Sequence, residues 1–132
     1  MNYLVDTHYL IWCLFDPQKI EKHILAVFNN EDAVKYVSKI SYWELSLKYS
    51  LGKLELTGIT PEEFFREVKK AGFQTLDISE GDLVSSYQLP AIENHKDPFD
   101  RLLVWQCIKN NLTLITADKK ISAYKQFGLK MV

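Results

Sequence analysis

Short runs with no polar residue, Tyr3-Leu4-Val5 near the start and Leu114-Ile115 near the end, are separated along this chain by longer segments with apolar residues at helical spacing. A strand that is apolar at every position needs cover on both faces, and a parallel sheet flanked by helical crossovers supplies it. Strands are expected at Asn2 to Val5, Ala33 to Val37, Phe73 to Ile78, Thr113 to Thr116 and Leu129 to Val132. Helices are expected at Ile20 to Asn29, Tyr42 to Leu51, Pro61 to Ala71, Gly81 to Tyr87 and Pro98 to Asn110, with shorter ones from His8 and over Lys119 to Tyr124. The order implies an α/β domain with a central, mainly parallel sheet. In such a sheet the ligand crevice lies outside the carboxyl ends of the strands.

The chain has 132 residues, 47% of them hydrophobic, with no repeat and no linker, so a single domain over residues 1–132 is expected. Sixteen basic against 17 acidic residues leave a formal charge of −1, which argues against a broad cationic surface for a polyanion. Such a partner would have to be handled locally or through metal. Cys13 and Cys107 lie in apolar helical stretches without CxxC spacing, as reduced structural thiols do. No leader-like segment or membrane-length apolar run is present, so no membrane partner is expected and a soluble cytoplasmic protein is the simplest reading.

Four carboxylates fall where a strand ends or a helix begins: Asp6 after Tyr-Leu-Val, Glu44 in Ser41-Tyr-Trp-Glu44, Asp100 in Asp97-Pro-Phe-Asp100, and Asp118 after Leu-Ile-Thr-Ala. Each has a structural use there. Ser41 to Glu44 has the form of a capping box, Asp97 precedes a proline at a helix start, and Asp118 and Asp6 are placed to cap the helices that follow them. Helical spacing points the other way for two. Asp100 shares a face with Leu103, Val104 and Cys107, and Glu44 with Leu47 and Leu51, so both head apolar stripes that should enter the core. Carboxylates buried together oppose one another's ionisation, and a hard divalent cation with oxygen ligands removes the conflict. Four converging acids would serve one ion or a pair, for phosphoryl transfer or phosphodiester hydrolysis. Thr7 and Thr116 place hydroxyls beside two of the acids, where local backbone bonding is their ordinary use.

In these blocks the chain resembles the PIN-domain ribonucleases, and is most similar to the VapC-like toxins of bacterial toxin–antitoxin pairs. The likeness rests on Asn2 to Trp12, on Ser41 to Lys48 with Leu51-Gly-Lys-Leu54, on His95-Lys-Asp-Pro-Phe-Asp-Arg-Leu-Leu-Val104, and on Leu114 to Asp118. It implies a three-layer α/β/α sandwich, a metal site of Asp6, Glu44, Asp100 and Asp118 for Mg²⁺ or Mn²⁺, and endoribonuclease activity on RNA. It also implies a homodimer restrained by a cognate antitoxin. Asp97 is a possible fifth participant, Arg101 and Lys48 are candidates for phosphate or partner contact, and His95 is a candidate for RNA contact or proton transfer at the rim. Trp105 and Cys107 depart from the smaller residues frequent on that helix, which bears on packing, and Trp43 is expected to be a packing residue. A housekeeping PIN nuclease, a non-catalytic RNA- or protein-binding PIN module and a receiver-type acidic pocket are the competing readings. Retention of all four acids weighs against the binding module, and the helix positions of Glu44 and Asp100 weigh against the receiver.

Overall fold

The computed structural model describes all of residues 1–132. Five strands form the sheet: β1 (Asn2–Val5), β2 (Val34–Ser38), β3 (Gln74–Leu76), β4 (Thr113–Ile115) and β5 (Lys130–Met131). Six α-helices flank them: α1 (Thr7–Phe15), α2 (Lys22–Phe28), α3 (Lys39–Ser50), α4 (Pro61–Lys70), α5 (Glu80–Ser85) and α6 (Pro98–Asn110). Tighter 3₁₀ turns cover Pro17–Lys19, Ser86–Gln88 and Lys119–Phe127. All strand pairs are parallel, in the spatial order β3-β2-β1-β4-β5. The chain runs outward from β1 through β2 to β3, then returns to lay β4 on the other side of β1. Between β1 and β4 the order reverses, which opens a crevice at their carboxyl ends.

Alternation along the strands divides the interior into two layers. Tyr3, Val5 and Ile115 face a cluster with Tyr9, Leu10, Ile24, Phe64 and Val68 from α1, α2 and α4. Leu4 and Leu114 face the opposite cluster, built by Leu103, Val104 and Cys107 of α6 with Ile121 and Tyr124 of the last 3₁₀ turn. Across β1 and β4 the register pairs Leu4 with Leu114 and Val5 with Ile115. Side chains of like kind therefore stack on each face, and the architecture is an α/β/α sandwich.

Local chemistry explains most boundaries. The α4 helix opens with Thr60 and Glu63 in a reciprocal capping box and Pro61 in its first turn. The α6 helix ends at Asn111, whose left-handed backbone (φ 54°) is tolerated by a short polar side chain. Three expectations need correction. The α3 helix starts at Lys39, three residues before Tyr42, because Ser38 at the end of β2 caps it by accepting from the Ile40 N–H; Ser41 is buried inside the helix and makes no capping box. Leu47 and Leu51 are exposed, so the buried face of α3 is Ser41, Glu44 and Leu45 rather than a stripe below Glu44. Trp43 is 60% exposed and meets only the edge of Phe99, since it lies on the side of α3 turned from the sheet. Trp105 is a core residue, its indole N–H donating to Ser85 Oγ of α5 at 3.2 Å. Cys13 and Cys107 are free thiols, and no helix is long and apolar enough to cross a membrane.

Candidate metal centre

The crevice between β1 and β4 is a cleft of about 320 Å³ whose wall contains Asp6, Glu44, Asp97, Asp100 and Asp118. Parallel strands deliver two of these. Asp6 is the residue after β1, and its carboxylate ties both strand ends: Oδ1 accepts from the Tyr9 N–H at 3.0 Å and Oδ2 from the Ala117 N–H at 3.1 Å. Asp118 follows β4 by way of Thr116, whose Oγ1 accepts from the Asp118 N–H. Its Oδ1 caps the last 3₁₀ turn through the Lys120 N–H, while Oδ2 turns toward His95.

Helix starts deliver the others. Asp97 Oδ1 accepts from the N–H groups of Phe99 and Asp100, which fixes the first turn of α6 and aims Asp100 into the cleft from above Leu103, Val104 and Cys107. Glu44 comes from the middle of α3. At 6% exposure it is held at both oxygens, by the Thr7 hydroxyl at 2.9 Å and by the Lys48 ammonium at 2.7 Å. Capping and cleft lining are thus not alternatives for Asp6, Asp97 and Asp118: each does both.

Charge is poorly balanced across this arrangement. Lys48 is the only lysine or arginine on the cleft wall, facing five carboxylates. Burial alone would lower the Lys48 ammonium, but its bond to Glu44 and the charges of Glu44, Asp97 and Asp100 outweigh burial and hold it above its ordinary value. Asp100 has the opposite problem. Burial, then Asp97, Glu44, Asp118 and Asp6, push its carboxyl up to about 7, and no hydrogen bond lowers it. Burial also raises Asp6, against the amides of Tyr9 and Ala117 and the Thr116 hydroxyl, which favour its ionised form. One ligand atom each from Glu44, Asp97 and Asp100 lie within 4.8 Å of one another, as do one each from His95, Asp100 and Asp118. Oxygen donors this close, with uncompensated negative charge, fit a divalent cation of the Mg²⁺ or Mn²⁺ kind.

The remaining candidates separate by geometry. Thr7, Thr116 and Lys48 line the cleft. Arg101 does not: its guanidinium donates to the Leu89 and Pro90 carbonyls and to Tyr124 Oη, which spends it on holding the loop before α6. His95 is not a rim residue. It is 4% exposed, with Nδ1 at 2.8 Å from Tyr124 Oη. Two cleft residues escaped the sequence reading, His8 and Trp12, although their i, i+4 spacing directly after Asp6 places both on one side of α1.

Comparison with known proteins agrees with this architecture. The PIN domain family model matches residues 3–126. The fold is shared with VapBC2 from Rickettsia felis, solved bound to a DNA fragment from its promoter, at 17% identity and a TM-score of 0.66 over 100% of this chain and 98% of that one. It is shared also with VapBC-1 from nontypeable Haemophilus influenzae, at 20% identity and a TM-score of 0.64 over 100% and 97% of the two chains. FitAB bound to an IR36 DNA fragment gives 18% identity and a TM-score of 0.68 over 100% and 94%. No curated protein matches the sequence. A family match that takes in every strand from β1 to β4 and all five cleft carboxylates leaves one assignment: the chain belongs to the PIN-domain family.

Proposed function

We propose that this chain is a divalent-metal-dependent endoribonuclease, acting as the toxin of a toxin–antitoxin pair. The observation that carries the reading is the gathering of five carboxylates in the β1/β4 crevice, with Asp100 pushed up to about 7 by burial and by its carboxylate neighbours. Asp6, Glu44, Asp100 and Asp118 hold the metal, and Asp97 supports it by orienting Asp100. When bound, Mg²⁺ or Mn²⁺ supplies activation of water and neutralisation of charge on the phosphate oxygens for phosphodiester hydrolysis.

The protein's own groups do the rest. Burial and the surrounding carboxylates push the Asp100 carboxyl up to about 7, and a bound divalent cation would favour its ionised form. Thr7 and Lys48 hold the Glu44 carboxylate by one oxygen each and fix its place on the cleft wall. Five carboxylates against one lysine would repel an RNA phosphate, and a divalent cation held by these residues would offset that charge. Exposed Lys119 and Lys120, directly after Asp118, are the nearest cationic groups in sequence to meet the flanking backbone.

VapBC and FitAB structures of like fold support an antitoxin as the protein partner, and the resemblance to VapC-like toxins makes a homodimer the expected working unit. The test is cleavage of total RNA with Mg²⁺ or Mn²⁺ and with EDTA, for the wild type and for Asp100→Asn. Asp100 is the cleaner position to change, because Asp6→Asn would set an amide NH₂ against the N–H of Tyr9 or Ala117. Cleavage that ignores EDTA, or that persists in folded Asp100→Asn, would sink the assignment.

A further inference from the structure

His95 has an unspent nitrogen buried behind Asp100 and Asp118 of the cleft wall. The residue is 4% exposed, and its Nε2 is fully enclosed with no hydrogen-bond partner. That atom lies 3.6 Å from Asp100 Oδ2 and 3.8 Å from Asp118 Oδ2. Both separations exceed an ordinary N–H···O bond, which ends near roughly 3.2 Å. They lie near the spacing of ligands around one cation, roughly 3.0–3.4 Å for bonds of about 2.1 Å. A buried imidazole nitrogen left without a partner costs free energy, and three donors converging on a common point would recover it.

The surroundings hold the ring in that pose. Asn94, with φ 64°, turns the chain so that the His95 N–H returns to the Ile92 carbonyl. Arg101 anchors the same loop at Leu89 and Pro90 and also donates to Tyr124 Oη at 3.0 Å. Tyr124 Oη has two lone pairs, enough to accept from Arg101 and from His95 Nδ1–H together, and in that tautomer the Nε2 lone pair is free. Histidines that bind metal are held by such a bond from the other ring nitrogen.

We propose that His95 is itself a metal ligand, joining Asp100 and Asp118 through Nε2 to form a nitrogen-bearing half of the centre that takes a manganese-class cation in preference to magnesium. Glu44, Asp97 and Asp100 form the other, oxygen-only half. Imidazole ligates first-row transition cations, Mn²⁺ the most weakly of them, whereas magnesium keeps to oxygen ligands and water. The proposal rests on the metal-dependent reading of the cleft, and the experiment separates the two.

The full chain is titrated with Mn²⁺ alone and with Mg²⁺ alone, and the Mn²⁺ form is examined by electron spin echo for coupling to a ligand nitrogen. The expected result is nitrogen coupling in the wild type that is lost in His95→Gln. Mn²⁺ affinity should fall by about tenfold or more, and Mg²⁺ affinity by less than about threefold. Binding of Mn²⁺ to the wild type without nitrogen coupling overturns the role of His95 and leaves the oxygen site standing. Failure of the wild type to bind Mn²⁺ at all overturns both. His8 also lines the cleft and must be distinguished. If His95→Gln does not fold, His8→Gln decides: coupling retained supports His95, and coupling lost overturns it.

Discussion

The two helices that bring acids into the cleft do so in opposite electrostatic states. On the α3 side, Glu44 is buried yet complete, with one oxygen held by Thr7 and the other by Lys48. On the α6 side, Asp100 accepts no hydrogen bond and is raised to about 7 by burial and by its carboxylate neighbours. The difference shows which part of the centre folding can finish alone. The α3 side is assembled by contacts within the protein, while Asp100 on the α6 side has no hydrogen-bond partner and four carboxylates among its neighbours.

The largest expected effect comes from neutralising the unsatisfied side. Asp100→Asn should reduce metal-dependent cleavage by about 10²–10³-fold, the scale for losing a preorganised charge-stabilising group. The same change should raise the melting temperature of the metal-free protein above neutral pH, since it removes a charge that burial and four neighbours oppose. Activity assays and melts with EDTA check both halves. A metal-free variant less stable than wild type at alkaline pH would show that Asp100 is satisfied after all.

Next in size is a pH effect confined to the α6 side. Because the folded-state value of Asp100 is raised above its unfolded one, the native protein holds the proton more tightly. Its contribution to metal-free stability is present below about 4 and is lost as pH rises through about 7. Metal binding runs the other way. Below about 7 a proton must leave before the cation enters, so affinity should climb by up to about tenfold per pH unit and level off above. Calorimetric titration of Mn²⁺ across this range checks the slope, and Asp100→Asn should flatten it. An unchanged slope in the variant would move the proton elsewhere in the cleft.

These contrasts were unevenly legible in the sequence. The unbroken apolar runs at β1 and β4 marked the sheet, and with it the ends where Asp6 and Asp118 lie. Asp100 above Leu103, Val104 and Cys107 was readable because all three contacts lie on one helix, and all three are buried. Glu44 was placed by a wrong local argument. The stripe that seemed to carry it inward is exposed, and what surrounds it is Thr7, 37 residues away, together with Lys48. The full reach of α1 was obscured by a segment apolar at nearly every position, which has no period to read. The burial of His95 was invisible for a stronger reason. It depends on Tyr124, 29 residues away, and on a loop conformation that Asn94 and Arg101 set between them.

Smaller effects belong to the completed side. Lys48→Met should destabilise the metal-free protein by about 1–2 kcal/mol, since it strands a buried carboxylate. The figure is held below that of a fully buried pair because the Lys48 side chain is 35% exposed. A saturating divalent cation should recover most of the loss, replacing the ammonium as the partner of Glu44, and urea denaturation with and without Mg²⁺ measures this. If the loss is the same in both conditions, Glu44 lies outside the reach of the ion.

The smallest effect is the loss of one neutral hydroxyl. Thr7→Val keeps the shape of the side chain and removes the donor to Glu44 Oε1, at an expected cost of about 1 kcal/mol in stability. Metal affinity should change by no more than a few-fold, because Lys48 still orients the other oxygen. The informative quantity is the coupling between the two changes. If either Thr7 or Lys48 suffices to hold the carboxylate in its pose, the double variant Thr7→Val with Lys48→Met should lose more than the sum of the single losses, as a double-mutant cycle in urea would show. Strict additivity would mean that the two contacts stabilise Glu44 independently, and a loss smaller than the sum that each needs the other to keep the α3 side complete.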